Sequence, residues 1–260
     1  MDKLRLITSR ANPAFKALSA LASDPRAPRR EGRTLADGIH LVTDCFAHGV
    51  TVLQLLVSQS GQNNPQIAAL LTQADNIECL LLSDALFREI SGVATPTGIA
   101  AVIAIPPSSQ GAIAGDAVLL DAVQDAGNVG TILRTAAAAG ICDVVLGPGC
   151  AGAWTPRVLR AGQGAHFSLR IREQADLAAT LVACSGISVA TVVRNGVSLY
   201  ALDLRQPMVW LFGNEGAGLS AELIDAAQQR VTIPLAATSE SLNVAAAVAV
   251  CLFEAVRQRQ

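Results

Sequence analysis

The segment from Met208 to Phe253 constrains the fold most, because it states one pattern twice: an apolar run that ends in a polar loop. Met208-Val-Trp-Leu-Phe212 is apolar throughout, with Pro207 before it and Gly213 after it, which predicts a short buried strand. It opens into Gly213-Asn-Glu-Gly-Ala-Gly218, where three glycines in six residues permit close approaches that side chains forbid. Ser220 is placed to cap a helix over about 221–229, and Arg230 to Ile233 resumes a strand. The loop from Pro234 to Ser239 then leads through Ser241-Leu-Asn243 to a helix over Val244 to Val256 that is apolar on nearly every side. A glutamate, two asparagines and a serine thus gather at the carboxyl ends of strands, where open α/β sheets bind ligands.

The remainder alternates strand with helix, which predicts an α/β protein. Asn12-Pro13 opens an amphipathic helix to about Leu21, followed by a Pro- and Arg-rich loop from Ser23 to Arg33. Helices are predicted at 39–47, 65–74 and 84–90, and strands at 52–57, 79–82 and 99–105, giving a small α/β/α domain over residues 1–106. Pro106-Pro-Ser-Ser-Gln-Gly111 reads as a boundary, with a linker over 107–115 and a second domain over 116–260. There a strand at 117–120 precedes Asn128, a candidate cap for a helix over 129–139 that carries Arg134 among small residues. A strand at 143–146, helices near 156–161 and 176–182, and a strand at 187–193 complete a mostly parallel sheet.

The chain is 51% apolar and 15% charged, with a mean hydropathy of +0.42. Its longest unbroken apolar run, Val244 to Phe253, is too short to cross a bilayer, and no export signal is expected at the N-terminus. That apolar run is instead the expected subunit interface. Six cysteines form no CxxC pair and have no histidine at ligand spacing, so free thiols, no metal site and a cytoplasmic location are expected. His40, His48 and His166 are scattered and read as structural or exposed.

The net charge is −2, but its distribution is uneven. Lys3, Arg5, Arg10, Lys16, Arg26, Arg29, Arg30 and Arg33 face only Asp2, Asp24 and Glu31 in the first 35 residues. Residues 151–172 hold Arg157, Arg160, Arg170 and Arg172 with no acid. Both islands are compatible with phosphate contacts, and equally with solvated faces. Separately, Gly147-Pro-Gly149-Cys-Ala-Gly152 fits GxGxxG after a predicted strand, with Glu173 where a ribose-binding acid would belong. An NAD-binding oxidoreductase is therefore one alternative. Against it, Trp154, Thr155 and Pro156 interrupt the helix that should receive the pyrophosphate.

Three segments, Asp121-Ala-Val-Gln-Asp-Ala-Gly-Asn128-Val-Gly130-Thr-Ile-Leu-Arg134, then Leu211-Phe-Gly-Asn-Glu215-Gly-Ala-Gly218, then Ile233-Pro leading to Glu240-Ser241-Leu-Asn243, occur in this order. Together they resemble the three motifs of the SpoU-type (TrmH-like) RNA 2′-O-ribose methyltransferases of the SPOUT superfamily. The match covers residues 116–260, and the first hundred residues more loosely resemble an L30e-like RNA-binding domain. Ala126 departs from the usual proline of the first motif, and Ala36-Asp37-Gly38 from a common Glu-Gly pair.

The resemblance implies a C-terminal trefoil knot holding S-adenosyl-L-methionine, a homodimer joined through the C-terminal helix, and RNA as substrate, ribosomal more than transfer. It implies cofactor contacts at Gly213, Ile233, Leu242 and Thr191, and a catalytic set of Asn128, Arg134, Glu215, Ser241 and Asn243. Arg10, Arg33 and Arg160 are the candidate RNA-backbone contacts. A non-catalytic RNA-binding protein on the same scaffold is the second alternative. An intact set of catalytic polar groups, which a binder does not need, speaks against it.

Overall fold

The computed structural model describes residues 5–74, 76–108 and 111–260. Lys3 of the basic island, and Ser109 and Gln110 of the expected linker, lie outside the described residues. The chain divides into two units, one of residues up to Pro107 together with Trp154–Phe167, the other of Ser108–Ala153 and Ser168–Gln260.

The first unit runs β1 (Arg5–Ile7), α1 (Pro13–Ser23), α2 (Ala27–Glu31), β2 (Arg33–Asp37), α3 (Ile39–Ala47), β3 (Val52–Ser58), α4 (Pro65–Thr72), β4 (Glu78–Leu82), α5 (Asp84–Ser91) and β5 (Ile99–Ala104). Its sheet has the order β1-β4-β3-β5-β2, with β5 antiparallel to both neighbours. Strand alternation divides the apolar residues between two faces. Leu56, Leu80, Leu82 and Val102 join Phe15, Leu18 and Phe87 in one core, while Leu55, Val57, Leu81 and Ile103 join Leu41, Val42 and Ile67 in the other. The stretch expected to be a loop over 23–33 holds α2 and leads into β2. Five residues with a proline at the start show no helical periodicity, so this helix exists because Ala27 and Pro28 are buried. Asn12, Asn64 and Ser83 cap α1, α4 and α5 with their side chains.

One further helix of this unit comes from far along the sequence. It is α7 (Pro156–Gly162), which packs on β2. The Thr34 hydroxyl donates to the Trp154 carbonyl at 2.5 Å, and the Trp154 ring lies 5.3 Å from that of His166. Arg160 donates to the Asp37 carboxylate at 2.9 Å and to the Ser91 carbonyl.

The second unit runs β6 (Ala117–Leu120), α6 (Ala126–Ala138), β7 (Asp143–Leu146), β8 (Arg170–Glu173), α8 (Leu177–Ala183), β9 (Ile187–Thr191), β10 (Val197–Ser198), β11 (Met208–Phe212), α9 (Ala221–Ala226), β12 (Gln229–Thr232) and α10 (Val244–Arg259). Its sheet has the order β10-β12-β9-β11-β6-β7-β8, and every described pairing in it is parallel. Parallel strands covered on both faces are apolar throughout, which is how β6 and β11 read, while β7 is apolar after its first residue, Asp143. Leu119, Val145, Ala190, Val209 and Leu211 form one core with Leu177, Leu181 and Leu223. Their alternates Val118, Leu120, Val189, Trp210 and Phe212 are equally buried, as are Ile132 and Leu133 of α6 and Val248 and Leu252 of α10. Those two helices pack on each other.

This order fixes where a site can lie. After β11 the chain passes over β9 to reach β12, and after β12 it returns to lay α10 on α6. Both connections leave from carboxyl ends of parallel strands that flank β9. All six cysteines are unpaired, and burial pushes the thiols of Cys45 and Cys251 up to about 12. No described helix is long and apolar enough to cross a membrane.

Candidate active site

The first loop of the site is shaped by Asp125. Its side chain accepts the Asn128 backbone N–H at 2.8 Å and caps α6, so the helix begins at Ala126. Asn128 is therefore not the cap expected from sequence but a first-turn residue whose side chain is released for other partners. An aspartate one residue ahead of the helix was the signal that distinguished them.

The second loop, Gly213 to Gly218, is a tight hairpin. Asn214 and Gly218 exchange backbone hydrogen bonds at 3.0 and 2.9 Å, and Asn214 Oδ1 accepts from the Gly216 and Ala217 N–H groups. A Cβ at Gly213 would overlap the backbone of Gly218 and Leu219, so the hairpin closes only with glycine there. Asn214 Nδ2 donates to the Ala122 carbonyl at 2.8 Å, and Asp121 accepts the Ser220 N–H at 2.9 Å, which stitches this loop to the first. Asn214, one of the two asparagines gathered at the strand ends, is not in the expected catalytic or cofactor set and serves to hold the two loops together.

Glu215 stands at the tip of that hairpin. Its carboxylate accepts the N–H groups of Gln124 and Asp125, each at 3.3 Å, and Asn128 Nδ2 at 2.9 Å. Asn128 Oδ1 in turn accepts from Asn243 Nδ2 at 2.9 Å. Asn243 Oδ1 accepts the N–H groups of Ala245 and Ala246 and caps α10. A carboxylate only accepts and helix-terminal N–H groups only donate, so both amides have one self-consistent orientation. Partial burial raises the Glu215 carboxyl, but hydrogen bonds from Asn128 and backbone N–H groups outweigh it and hold the group below its ordinary value. Three loops far apart in sequence are thereby joined through one acceptor-to-donor chain.

Beside this chain lies a cavity of about 390 Å³. Thr191, Gly213, Ile233 and Leu242, the four residues expected at the cofactor, all line it. Glu215, Ser241 and Asn243 of the expected catalytic set line it too. Thr191 Oγ1 donates to the Leu211 carbonyl at 2.7 Å, holding β9 to β11 at the cavity floor. Asn128 reaches the lining only through Glu215 and Asn243. Arg134 follows it by six residues on α6, roughly 9 Å along the axis. It is exposed and has no hydrogen bond or ion pair among the described residues. The three arginines read as RNA contacts belong to the first unit. Arg10 pairs with Glu89, Arg33 with Glu31 and Arg160 with Asp37, each at 2.8–2.9 Å. The first two are exposed pairs that phosphate can displace, whereas Arg160 is bound to a buried carboxylate and so holds the fold together.

The GxGxxG reading fails on the same ground. The turn after β7 is not followed by a helix of its own unit, since α7 starts at Pro156 and packs on β2. Glu173 accepts the Ala153 N–H at 2.7 Å. No three described His, Cys, Asp or Glu residues are grouped to hold a metal ion.

A model of the SpoU rRNA methylase family matches residues 116–253. The chain belongs to that family. An MRM3-like substrate-binding domain matches residues 12–101. The chain is 32% identical to a tRNA/rRNA methyltransferase of Synechocystis, over 97% of this chain and 94% of that one. It is 34% identical to the 23S rRNA guanosine 2′-O-methyltransferase RlmP of Bacillus subtilis, over 84% and 86% respectively. An rRNA methyltransferase from Sinorhizobium meliloti, solved with AdoMet bound, superposes with a TM-score of 0.84 at 28% identity, each chain covered to 98%. The SpoU methyltransferase AviRb from Streptomyces viridochromogenes, in complex with AdoMet, superposes at 0.85 and 28% identity, covering 95% of this chain and 98% of that one. The SPOUT-type α/β architecture follows from these likenesses.

Proposed function

We infer that this protein is an S-adenosylmethionine-dependent methyltransferase acting on a ribose 2′-hydroxyl of ribosomal RNA. The observation that carries the reading is the Glu215–Asn128–Asn243 chain along the wall of a cavity of small-molecule size. The residues present fit the cofactor. Leu235 and Leu242 stay 37% and 40% exposed on the apolar side, ready to be covered by a flat ring, while backbone at Gly213, Ile233 and Leu242 offers polar groups. When bound, S-adenosylmethionine supplies the methyl group.

The chain's own residues then have to position the hydroxyl and take up its proton. None of the motif segments contains a histidine, cysteine or lysine. A guanidinium stays charged, so Arg134 acts as a fork that holds the target phosphate and stabilises alkoxide character, with the proton leaving to phosphate or water. Ser241 and the amide chain orient the ribose. Arg134 is exposed and is not among the residues lining its own cavity, and it serves the cavity of a partner protomer. The partner docks on α10, where exposed Ala246 and Phe253 and half-buried Val250 recur at helical spacing. The two connections that cross beyond β11 and β12 are the strands of the proposed trefoil knot. The first unit delivers the RNA, with Arg10 and Arg33 as backbone contacts. The site of action is the cytoplasm.

Mapping ribose methylation in total RNA from cells with and without the gene tests the whole reading, and separates ribosomal from transfer RNA. Loss of no 2′-O-methyl mark would sink it. Titration with S-adenosylmethionine tests the enzyme against a pure RNA binder, which takes up none. Arg134→Ala should abolish transfer while cofactor uptake persists, and near-normal turnover removes Arg134 from the mechanism.

A further inference from the structure

We infer that Arg194, which lies in none of the three motif segments, is a positioning residue that grips an RNA phosphate at the lip of the cofactor cavity. The inference deepens the methyltransferase reading and rests on it.

The turn that carries Arg194 is fixed at both ends to the cavity wall. The Val192 N–H donates to the Val231 carbonyl at 2.8 Å, and the Gly196 N–H donates to Thr232 Oγ1 at 3.1 Å. Val197 and Ser198 are in parallel register with Val231 and Thr232. Gly196 comes so close to β12 that a Cβ would stand 2.6 Å from Thr232 Oγ1 and 2.7 Å from the Val231 carbonyl carbon. Asn195, with φ +62°, turns the chain at the tip, a conformation asparagine tolerates. Val192, Val193 and Val231 line the cavity. The Arg194 backbone is therefore held at that lip.

Its guanidinium is uncommitted. In the second unit Arg170, Arg205, Arg230, Arg257 and Arg259 each pair with a carboxylate, at 2.6–2.8 Å. Arg172 donates to the Gly111 carbonyl. Among the described arginines of this unit, only Arg134 and Arg194 have side chains with neither hydrogen bond nor ion pair. One is the motif arginine, and the other is exposed beside the cavity. A guanidinium with no carboxylate to release engages phosphate at full strength, and its planar fork matches the phosphate oxygens. A cofactor carboxylate is the other anion within the same chemistry. Arg194 is not among the lining residues although the three before it are, which places it at the rim and not inside the cavity.

The test uses the full chain and the host large-subunit rRNA transcribed in vitro, hence free of modification. Arg194→Ala should raise KM for the transcript about tenfold and leave kcat at saturating RNA unchanged. The slope of log affinity against log salt should become shallower by about 0.7–0.9, one phosphate contact, and Arg194→Lys should restore it. Calorimetric affinity for S-adenosylhomocysteine should not change. An unchanged KM and salt slope overturns the proposal, and so does a loss of S-adenosylhomocysteine affinity with the RNA slope intact. A wild-type chain inert on the transcript overturns it together with the methyltransferase reading, and is distinguished by that control.

Discussion

Asn243 uses the two ends of one amide for two purposes: its oxygen caps α10 and its nitrogen orients Asn128. The purposes can be separated. Asn243→Asp keeps the capping acceptors and adds a favourable charge at a helix N-terminus, but it cannot donate to Asn128. The expected result is melting close to the wild-type temperature with methyl transfer reduced about a hundredfold. Asn243→Ala should lose both, at about 1 kcal/mol of stability for the cap. An aspartate variant with full activity would show that the amide chain is structural only. The chain should also be indifferent to pH near neutrality. Glu215 has a folded pKa below its ordinary value, so what it stabilises is present above that value and lost only as pH falls through the depressed one. At this scale the sequence singles out Asn128, Glu215 and Asn243, and the fold links the three by hydrogen bonds. The sequence misreads what Asn128 does, because capping and hydrogen bonding to a remote carboxylate demand the same side chain.

At the scale of elements, the least legible piece is α7 and its basic tract. Four arginines without an intervening acid read equally as a phosphate face or a solvated one. In the fold Arg160 goes to Asp37, Arg170 to Asp143 and Arg172 to the Gly111 carbonyl. Asp37 is 123 positions from Arg160, so no local charge count can show the pairing. Burial raises the Asp37 carboxyl, against the pull of Ser91 and Arg160. Arg160→Ala leaves that carboxylate buried without its cation and should cost about 3 kcal/mol. An acid with a raised folded pKa stabilises fully below its unfolded value and loses that contribution as pH rises through the folded one. Removing Arg160 raises the folded pKa further. The melting-temperature gap between variant and wild type should therefore be wider at pH 8 than at pH 4, and Asp37→Asn should close it. A gap independent of pH would place the loss elsewhere, in packing of α7 on β2.

For the whole molecule the decisive feature is α10, which is apolar on nearly all sides although one side faces solvent. Phe253 remains 47% exposed in the single chain, in line with Val250 and Ala246. Phe253→Asp should leave each protomer folded by circular dichroism, because the side chain is not part of the protomer core. If the proposed dimer forms through this helix, the variant should shift sedimentation from dimer to monomer and abolish transfer, because on that proposal Arg134 serves a partner's cavity. A variant that stays dimeric and active would move the interface off this helix.

The sequence by itself determined the alternation of strand and helix, the apolar strands of a covered parallel sheet and the three polar loops, because periodicity and turn chemistry are local. It also determined the chemistry available, since residue type sets what can donate, accept or stay charged. The tertiary structure alone decided which arginines remain free, which aspartate caps α6, and that a stretch of the second half completes the first unit. Those outcomes depend on partners such as Asn128 with Glu215, 87 positions apart, and Asn243 with Asn128, 115 apart. Hydrogen bonds and ion pairs act over about 3 Å in space, and distance along the chain does not enter them.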